Sequence, residues 1–327
     1  MAPSAPRVSF IIPVRDDARR LQRCLEAIRR DAGRSAVEII VVDNGSVDHS
    51  VEVAREAGAR VLPYPKLSVA ELRNRGAAVA RGDLLAFIDA DHEIAAGWTE
   101  AAIDSLGLDD VAAAGALCHA PSDGTWVQRM YDALRGRTKG RHDVEWLGSG
   151  NMAVRRDAFL LLGGFDTRLE TCEDVDLCSR LRQAGMRVIG DERLRSVHFG
   201  DPASLRALFA GELWRGRDNL RASLRGPITL RSLPSVVIPI IDVLLVAASL
   251  VGVITAPAGG LRVTAAAALV LCSLALMRAT RMIHRFGGAR PATLVQAFIV
   301  ASVYDLARAL AIVARARHHR RPASVRI

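Results

Sequence analysis

Two carboxylates one residue apart, Asp89 and Asp91, close the apolar run Leu84–Ile88. From a strand-to-loop turn both can face one ligand, and hard oxygens of this kind hold Mg2+ or Mn2+ together with diphosphate oxygens. A divalent metal there would stabilise a departing nucleoside diphosphate. A second acidic set, Glu173, Asp174 and Asp176, opens a helix, where the positive end of the dipole favours anions. Asp176 reads as an ordinary first-turn acid. Asp174 is a carboxylate able to take a proton from an acceptor hydroxyl, if the fold brings it opposite the metal. His198 follows a short apolar strand and is a further candidate metal ligand. Motifs for other chemistries are absent: no G-x-x-x-x-G-K-[ST], no G-x-G-x-x-G after the first strand and no G-x-S-x-G.

The elements that must hold these residues alternate. Val8–Ile12, ended by Pro13, and Val37–Val42, ended by Asp43, are short β-branched runs that suit buried parallel strands. Between them Leu21, Leu25 and Ile28 recur at helical spacing, with Gly33 as a stop. A helix from Val47 to Gly58, a strand at Arg60–Leu62, and a helix opened by the capping box Ser68/Glu71 and closed by Gly82 lead to the strand Leu84–Ile88. The pattern predicts a doubly wound α/β sheet, in which ligands bind beyond the carboxyl ends of the strands, where Pro13, Asp43, Asp89 and Asp91 all fall. Val111–Cys118 is a candidate further strand, and the polar stretch Pro121–Asp143 reads as a loop with a helix inside it. A helix from Glu173 shows Leu177 and Leu181 on one face and stops at Gly185.

Charge separates the chain of 327 residues into two parts: of the +9 net charge, residues 1–200 carry −3 and residues 201–327 carry +12. The basic part is also the apolar part, which points to a membrane surface. With 5% aromatic residues, base-stacking platforms and hence nucleic acid are not expected. Five cysteines without a C-x-x-C pair read as reduced thiols. The N-terminus lacks the pattern of a signal peptide, so the first 200 residues are expected in the cytoplasm. The organisation expected is a catalytic domain over 1–200, interfacial or linker helices over 201–233 and a membrane region over 234–327. Segments 236–256 and 262–279 form a transmembrane hairpin, the latter flanked by Arg262 and Arg278. Segment 293–314 carries Gln296, Asp305 and Arg308. Crossing the bilayer there would put the Arg-rich tail, 315–327, outside, so an amphipathic or re-entrant segment is favoured over a third span.

Set in order, these segments closely resemble the family 2 glycosyltransferases, over about residues 7 to 200. Val8-Ser-Phe-Ile-Ile-Pro-Val14 looks like the opening strand of that family, and Val41-Val-Asp-Asn-Gly-Ser46 like its nucleotide-binding second strand. Arg73-Asn74, Gly82-Asp83 and Phe87-Ile-Asp-Ala-Asp91 resemble its donor and metal segment. Gly148-Ser-Gly-Asn-Met-Ala153, Gly163-Gly-Phe-Asp166 and Glu173-Asp-Val-Asp-Leu177 are similar to its acceptor and base region, and Val197-His198 to its closing strand. The resemblance implies a GT-A fold, inversion at the anomeric centre, and a UDP-, GDP- or dTDP-sugar donor. It implies nucleotide-sugar contacts at Pro13, Arg15, Asp43, Arg73 and Asp89, a metal held by Asp91 and His198, sugar or acceptor contacts at Gly150, Asn151 and Glu173, and Asp174 as general base.

Three departures bear on specificity. Val14-Arg15-Asp16 stands where the family often has an aromatic residue and Asn, and His92 replaces a commoner acid. Leu213-Trp-Arg-Gly-Arg217 lacks the Q-x-x-R-W pattern of processive synthases, which favours transfer of a single sugar. The expectation is a cytoplasmic-membrane transferase acting on a lipid-linked or glycan acceptor. The alternatives are transfer to polyprenyl phosphate and an inactive nucleotide-binding scaffold.

Overall fold

The computed structural model describes residues 6–32, 36–226, 233–255, 259–286 and 290–314. The chain forms two compact units, one holding Met1–Pro121 and Arg137–Gly200, the other Ser122–Gly136 and Asp201–Arg320. The short segment Ser122–Gly136 groups with the second unit.

In the first unit β1 (Val8–Val14) is buried along its whole length. It pairs in parallel with β2 (Val37–Asp43) and β4 (Leu84–Ile88). Side chains alternate across the strand: Phe10 and Ile12 enter one core with Leu21, Leu25 and Ile28 of α1 (Ala18–Ala32), while Ile11 enters the other. Helix α2 (Ser50–Glu56) leads to the outer strand β3 (Arg60–Pro63), which is parallel to β2. Helix α3 (Val69–Val79) carries the anticipated capping box, with Ser68 N donating to Glu71 Oε2 at 2.8 Å and Glu71 N to Ser68 Oγ at 3.3 Å.

The remaining elements are β5 (His92–Ile94), α4 (Trp98–Leu106), β6 (Val111–Gly115), α5 (Trp126–Arg135), β7 (Arg141–Asp143), β8 (Asn151–Arg155), α6 (Arg156–Leu161), α7 (Glu173–Gln183), β9 (Arg187–Asp191) and β10 (Ser196–His198). The eight-stranded sheet runs β3-β2-β1-β4-β8-β6-β9-β7. Strand β8 lies antiparallel between β4 and β6, a strand for which the sequence shows no long apolar run. This pairing brings the loop before β8 against the carboxyl end of β4. Phe87, Phe159 and Phe165 pack with centroids 5.0–5.3 Å apart in the second core, beside Leu177 and Leu181. Strands β5 and β10 form a separate two-stranded ladder.

The second unit contains α5, α8 (Leu205–Arg215), α9 (Asn219–Ser223), α10 (Leu233–Thr255), α11 (Gly259–Phe286) and α12 (Pro291–Val313). Among the described residues, three helices, α10 to α12, are long and apolar enough to cross a membrane. Leu244, Leu250, Val253, Leu261 and Leu269 lie exposed on them, as lipid-facing side chains would. Helix α12 meets this measure despite the charges that spoke for an amphipathic or re-entrant segment. Its charges are paired: Arg278 Nη2 meets Asp305 Oδ1 at 2.8 Å, and Arg308 Nε meets Glu212 Oε2 at 2.9 Å. Helix α5 buries Val127, Met130 and Tyr131 against Leu208, Ala279, Met282 and Val300. The basic tail lies outside the described residues.

Candidate active site

Asp89 follows β4 directly, and its amide donates to Gly150 O at 3.1 Å, continuing the β4–β8 ladder by one bond. A Cβ on Gly150 would come within 2.7 Å of Asp89 Oδ2 and 3.1 Å of His92 Nε2, so a larger residue there would push the Asp89 carboxylate aside. Arg73 reaches in from α3 and is 2% exposed. Its Nη2 donates to Asp89 Oδ1 at 2.5 Å and its Nη1 to Glu173 Oε1 at 2.7 Å. One guanidinium thus joins the end of β4 to the start of α7, giving Asp89 and Glu173 a common partner.

The start of α7 is built to hold its acids. Ser149 Oγ donates to Glu173 Oε1 and Ser149 N to Asp174 Oδ2, both at 3.1 Å. Val175 N donates to Asp174 Oδ1 at 2.8 Å. Cys172, just before the helix, has φ 62, a left-handed conformation unfavourable for a residue with a side chain. Burial, then Asp174, raises the pKa of Glu173 against the pull of Arg73, and burial raises that of Asp174. Glu173, expected at the sugar or acceptor, is buried and has Arg73 and Ser149 as partners. Asp176 pairs with Arg180 at 2.8 Å.

Asp91 is buried, with His198 Nε2 at 3.3 Å from its Oδ2 and Arg20 Nη1 at 3.9 Å. Burial opposes its ionisation, but His198, His92 and Arg20 hold its pKa well below the usual range. Its Oδ1 is buried without a hydrogen-bond partner. Asp89, Asp91 and His92 each offer one ligand atom, all within 4.8 Å of one another. An orphaned buried carboxylate oxygen beside a second carboxylate and an imidazole fits a divalent cation. In the sequence His92 stands out as a replacement for a commoner acid. Its signal was adjacency to Asp91, and the β5–β10 ladder places it directly opposite His198. Arg20, held by Asp17 through bonds of 2.9 and 2.8 Å, carried no recognisable signal.

The residues expected on the nucleotide side gather at the ends of β1 and β2, where Pro13 lies opposite Val42 and Val14 opposite Asp43. Asp43 accepts from Gly45 N and Ser46 N, each at 3.1 Å, shaping the turn after β2. Arg15 is half exposed and 3.8 Å from Asp16. Asn151 sits apart from the rest. It is 3% exposed, accepts from Trp98 Nε1 at 2.9 Å, and donates to Ala116 O at 3.1 Å and Leu194 O at 2.7 Å. Its polar atoms tie β8 to the core.

A mixed α/β sheet with a carboxylate cluster past its central strand defines a GT-A type unit. The chain is similar to the mannosyltransferase PcManGT from Pyrobaculum calidifontis, solved with GDP-Man and Mn2+, at TM-score 0.57 and 19% identity over 93% of this chain and 88% of that one. It is also similar to GalNAc-T7, solved with UDP, GalNAc and Mn2+, at TM-score 0.51 and 16% identity over 69% of this chain and 52% of that one. Residues 9–160 match the family model for glycosyl transferase family 2. Among curated proteins it is 31% identical to the pre-mycofactocin glycosyltransferase of Mycobacterium tuberculosis over 199 residues, 57% of this chain and 41% of that protein. It is 30% identical to glycosyltransferase AglE of Haloferax volcanii over 203 residues, 57% of this chain and 64% of that protein.

Proposed function

We propose that this chain is a metal-dependent, inverting glycosyltransferase that moves a single sugar from a nucleotide-sugar donor to a membrane-associated acceptor. The observation that carries the reading is the Arg73 bridge, which joins the start of α7, where Asp174 lies, to the end of β4. Transfer with inversion needs a base on one face of the sugar and the leaving diphosphate on the other. Asp174 removes the proton of the acceptor hydroxyl, that oxygen forms the new bond to the anomeric carbon, and the bond to the diphosphate oxygen breaks. A divalent cation held by Asp91, Asp89 and His92, with His198 beside them, would supply positive charge against that growing on the departing nucleoside diphosphate. Asp43 and Pro13 would line the base, Arg15 the entrance, and Arg73 would fix Asp89 for the ribose. Gly150, with Ser149, would border the sugar. Asn151 and Glu173 would support that border from behind, which moves them from contact to positioning.

The nucleotide sugars and Mn2+ held by the two solved neighbours, proteins of the same fold, support this choice of donor class. The apolar helices of the second unit support an acceptor that lives in the membrane. Thermal-shift screening of the purified protein against UDP-, GDP- and dTDP-sugars with Mn2+, followed by donor turnover, tests the proposal. At least one donor raises the Tm only with metal present and is consumed; a protein that shifts with none and turns over none is a scaffold instead.

A further inference from the structure

Metal-ligating side chains converge a second time beside the carboxylate pair. His92, Cys118 and His198 each place one ligand atom within 4.8 Å of the other two. Backbone pairing fixes all three positions. His92 and His198 are cross-strand partners, with rings 4.4 Å apart and 30° from parallel. Next to Cys118, His119 N donates to Ser196 O at 2.8 Å and His198 N donates to His119 O at 2.9 Å, which anchors the segment after β6 along β10. The His92 Nδ1 lies 3.0 Å from Ser196 Oγ, the kind of outer contact that sets the orientation of a ligating imidazole.

Two imidazoles and a thiol make a soft set, unlike the oxygen-rich set of Asp89 and Asp91. Thiolate and imidazole suit Zn2+, whereas Mg2+ and Mn2+ prefer carboxylate and water. Asp91, near His198 and with one oxygen unpartnered, is at hand for a fourth position. We propose that His92, Cys118 and His198 form a second cation site, selective for Zn2+ over Mn2+ and sharing His92 with the carboxylate set. When Zn2+ binds, the Cys118 S–H bond breaks, its proton leaves to solvent, and a Zn–S bond forms without change of oxidation state. His92 offers a single ligand atom to either set, so the two ions compete and Zn2+ antagonises Mn2+. That antagonism of turnover rests on the transferase reading; the binding of Zn2+ does not.

The test uses the full chain in detergent, stripped of metal and titrated with Co2+ as a visible stand-in for Zn2+. A thiolate-to-cobalt charge-transfer band appears in the unsubstituted protein and is displaced by one equivalent of Zn2+. Cys118→Ser lacks the band and binds Zn2+ at least about tenfold more weakly, since even loss of an outer-shell partner costs that much, while its Mn2+ affinity is unchanged. As a measurement needing no variant, Zn2+ shields Cys118 from alkylation, read by mass spectrometry, and Mn2+ does not. No thiolate band, no shielding, or equal Zn2+ affinity in Cys118→Ser overturns the proposal. Mn2+-dependent donor turnover, measured on the same metal-stripped protein, reports separately on the transferase reading.

Discussion

The two ends of the central sheet use the same residue types to opposite effect. At the carboxyl end, Arg73 and Glu173 are 3% and 7% exposed at their side chains, and the guanidinium spans two carboxylates. At the amino end, Arg155 pairs with Asp157 and Arg187 with Asp110 and Asp143, with side chains 36% to 67% exposed. A groove of about 350 Å3, lined by Asp109, Asp110, Arg155 and Asp157 among others, opens at that end. It holds no buried ionisable group without a partner. Water screens the outer pairs, so each contributes little. Around Arg73, burial shifts the pKa values of Glu173 and Asp174 and makes each partner depend on the others. Arginine and aspartate count alone therefore does not mark a site; shared, dry partners do.

Substitutions at the two ends should separate by orders of magnitude. Asp174→Asn keeps the shape and removes the proposed base, so transfer should fall by about 10²–10⁴-fold, with donor binding by calorimetry unchanged. Normal turnover in that variant would remove Asp174 from its role. Asp91→Ala should abolish Mn2+-dependent donor binding, because it deletes the carboxylate whose Oδ1 is unpartnered; retained metal-dependent binding would place the cation elsewhere. Arg73→Ala strips the buried Glu173 and the part-buried Asp89 of their shared counter-charge and should destabilise the first unit by about 3–5 kcal/mol, read from denaturant unfolding.

The pH response sharpens the same contrast. Asp174 must be ionised to accept a proton, and its pKa is raised by burial. Activity should therefore be full at high pH and fall, as pH drops, around a midpoint above the ordinary carboxylate value of about 3.9. A midpoint at or below that value would place the base in open solvent. At the other end, Asp157→Ala should change stability by no more than about 0.5 kcal/mol and leave turnover untouched. A large loss there would mean that the outer pairs are not the screened contacts they resemble.

Legibility followed locality. The strands β1, β2 and β4 are buried apolar runs, and α3 announces itself by its cap, so the sheet's first half could be read from the sequence. Asp89, Asp91 and Asp174 were legible as strand-end and helix-start acids. Strand β8 was not, because its five residues gain their burial from β4 and β6, partners more than thirty residues away. The same holds for His92, whose partner lies opposite on β10, and for the packing of α5: a helix is expected within Pro121–Asp143, but its apolar face meets helices that follow it by seventy residues or more. In each case the missing information was register or tertiary neighbourhood, which local composition does not encode.

The order in which the cleft is laid down along the chain bears on how it comes into being during synthesis. The match to the family model ends at residue 160, yet the Arg73 bridge closes on Glu173 and the ladder on His198. A nascent chain of that length would already hold Asp89 and Asp91 while Arg73 still lacked its second counter-charge and β6 its neighbour β9. Reactivity should thus switch on late, as the last forty residues of the first unit leave the ribosome.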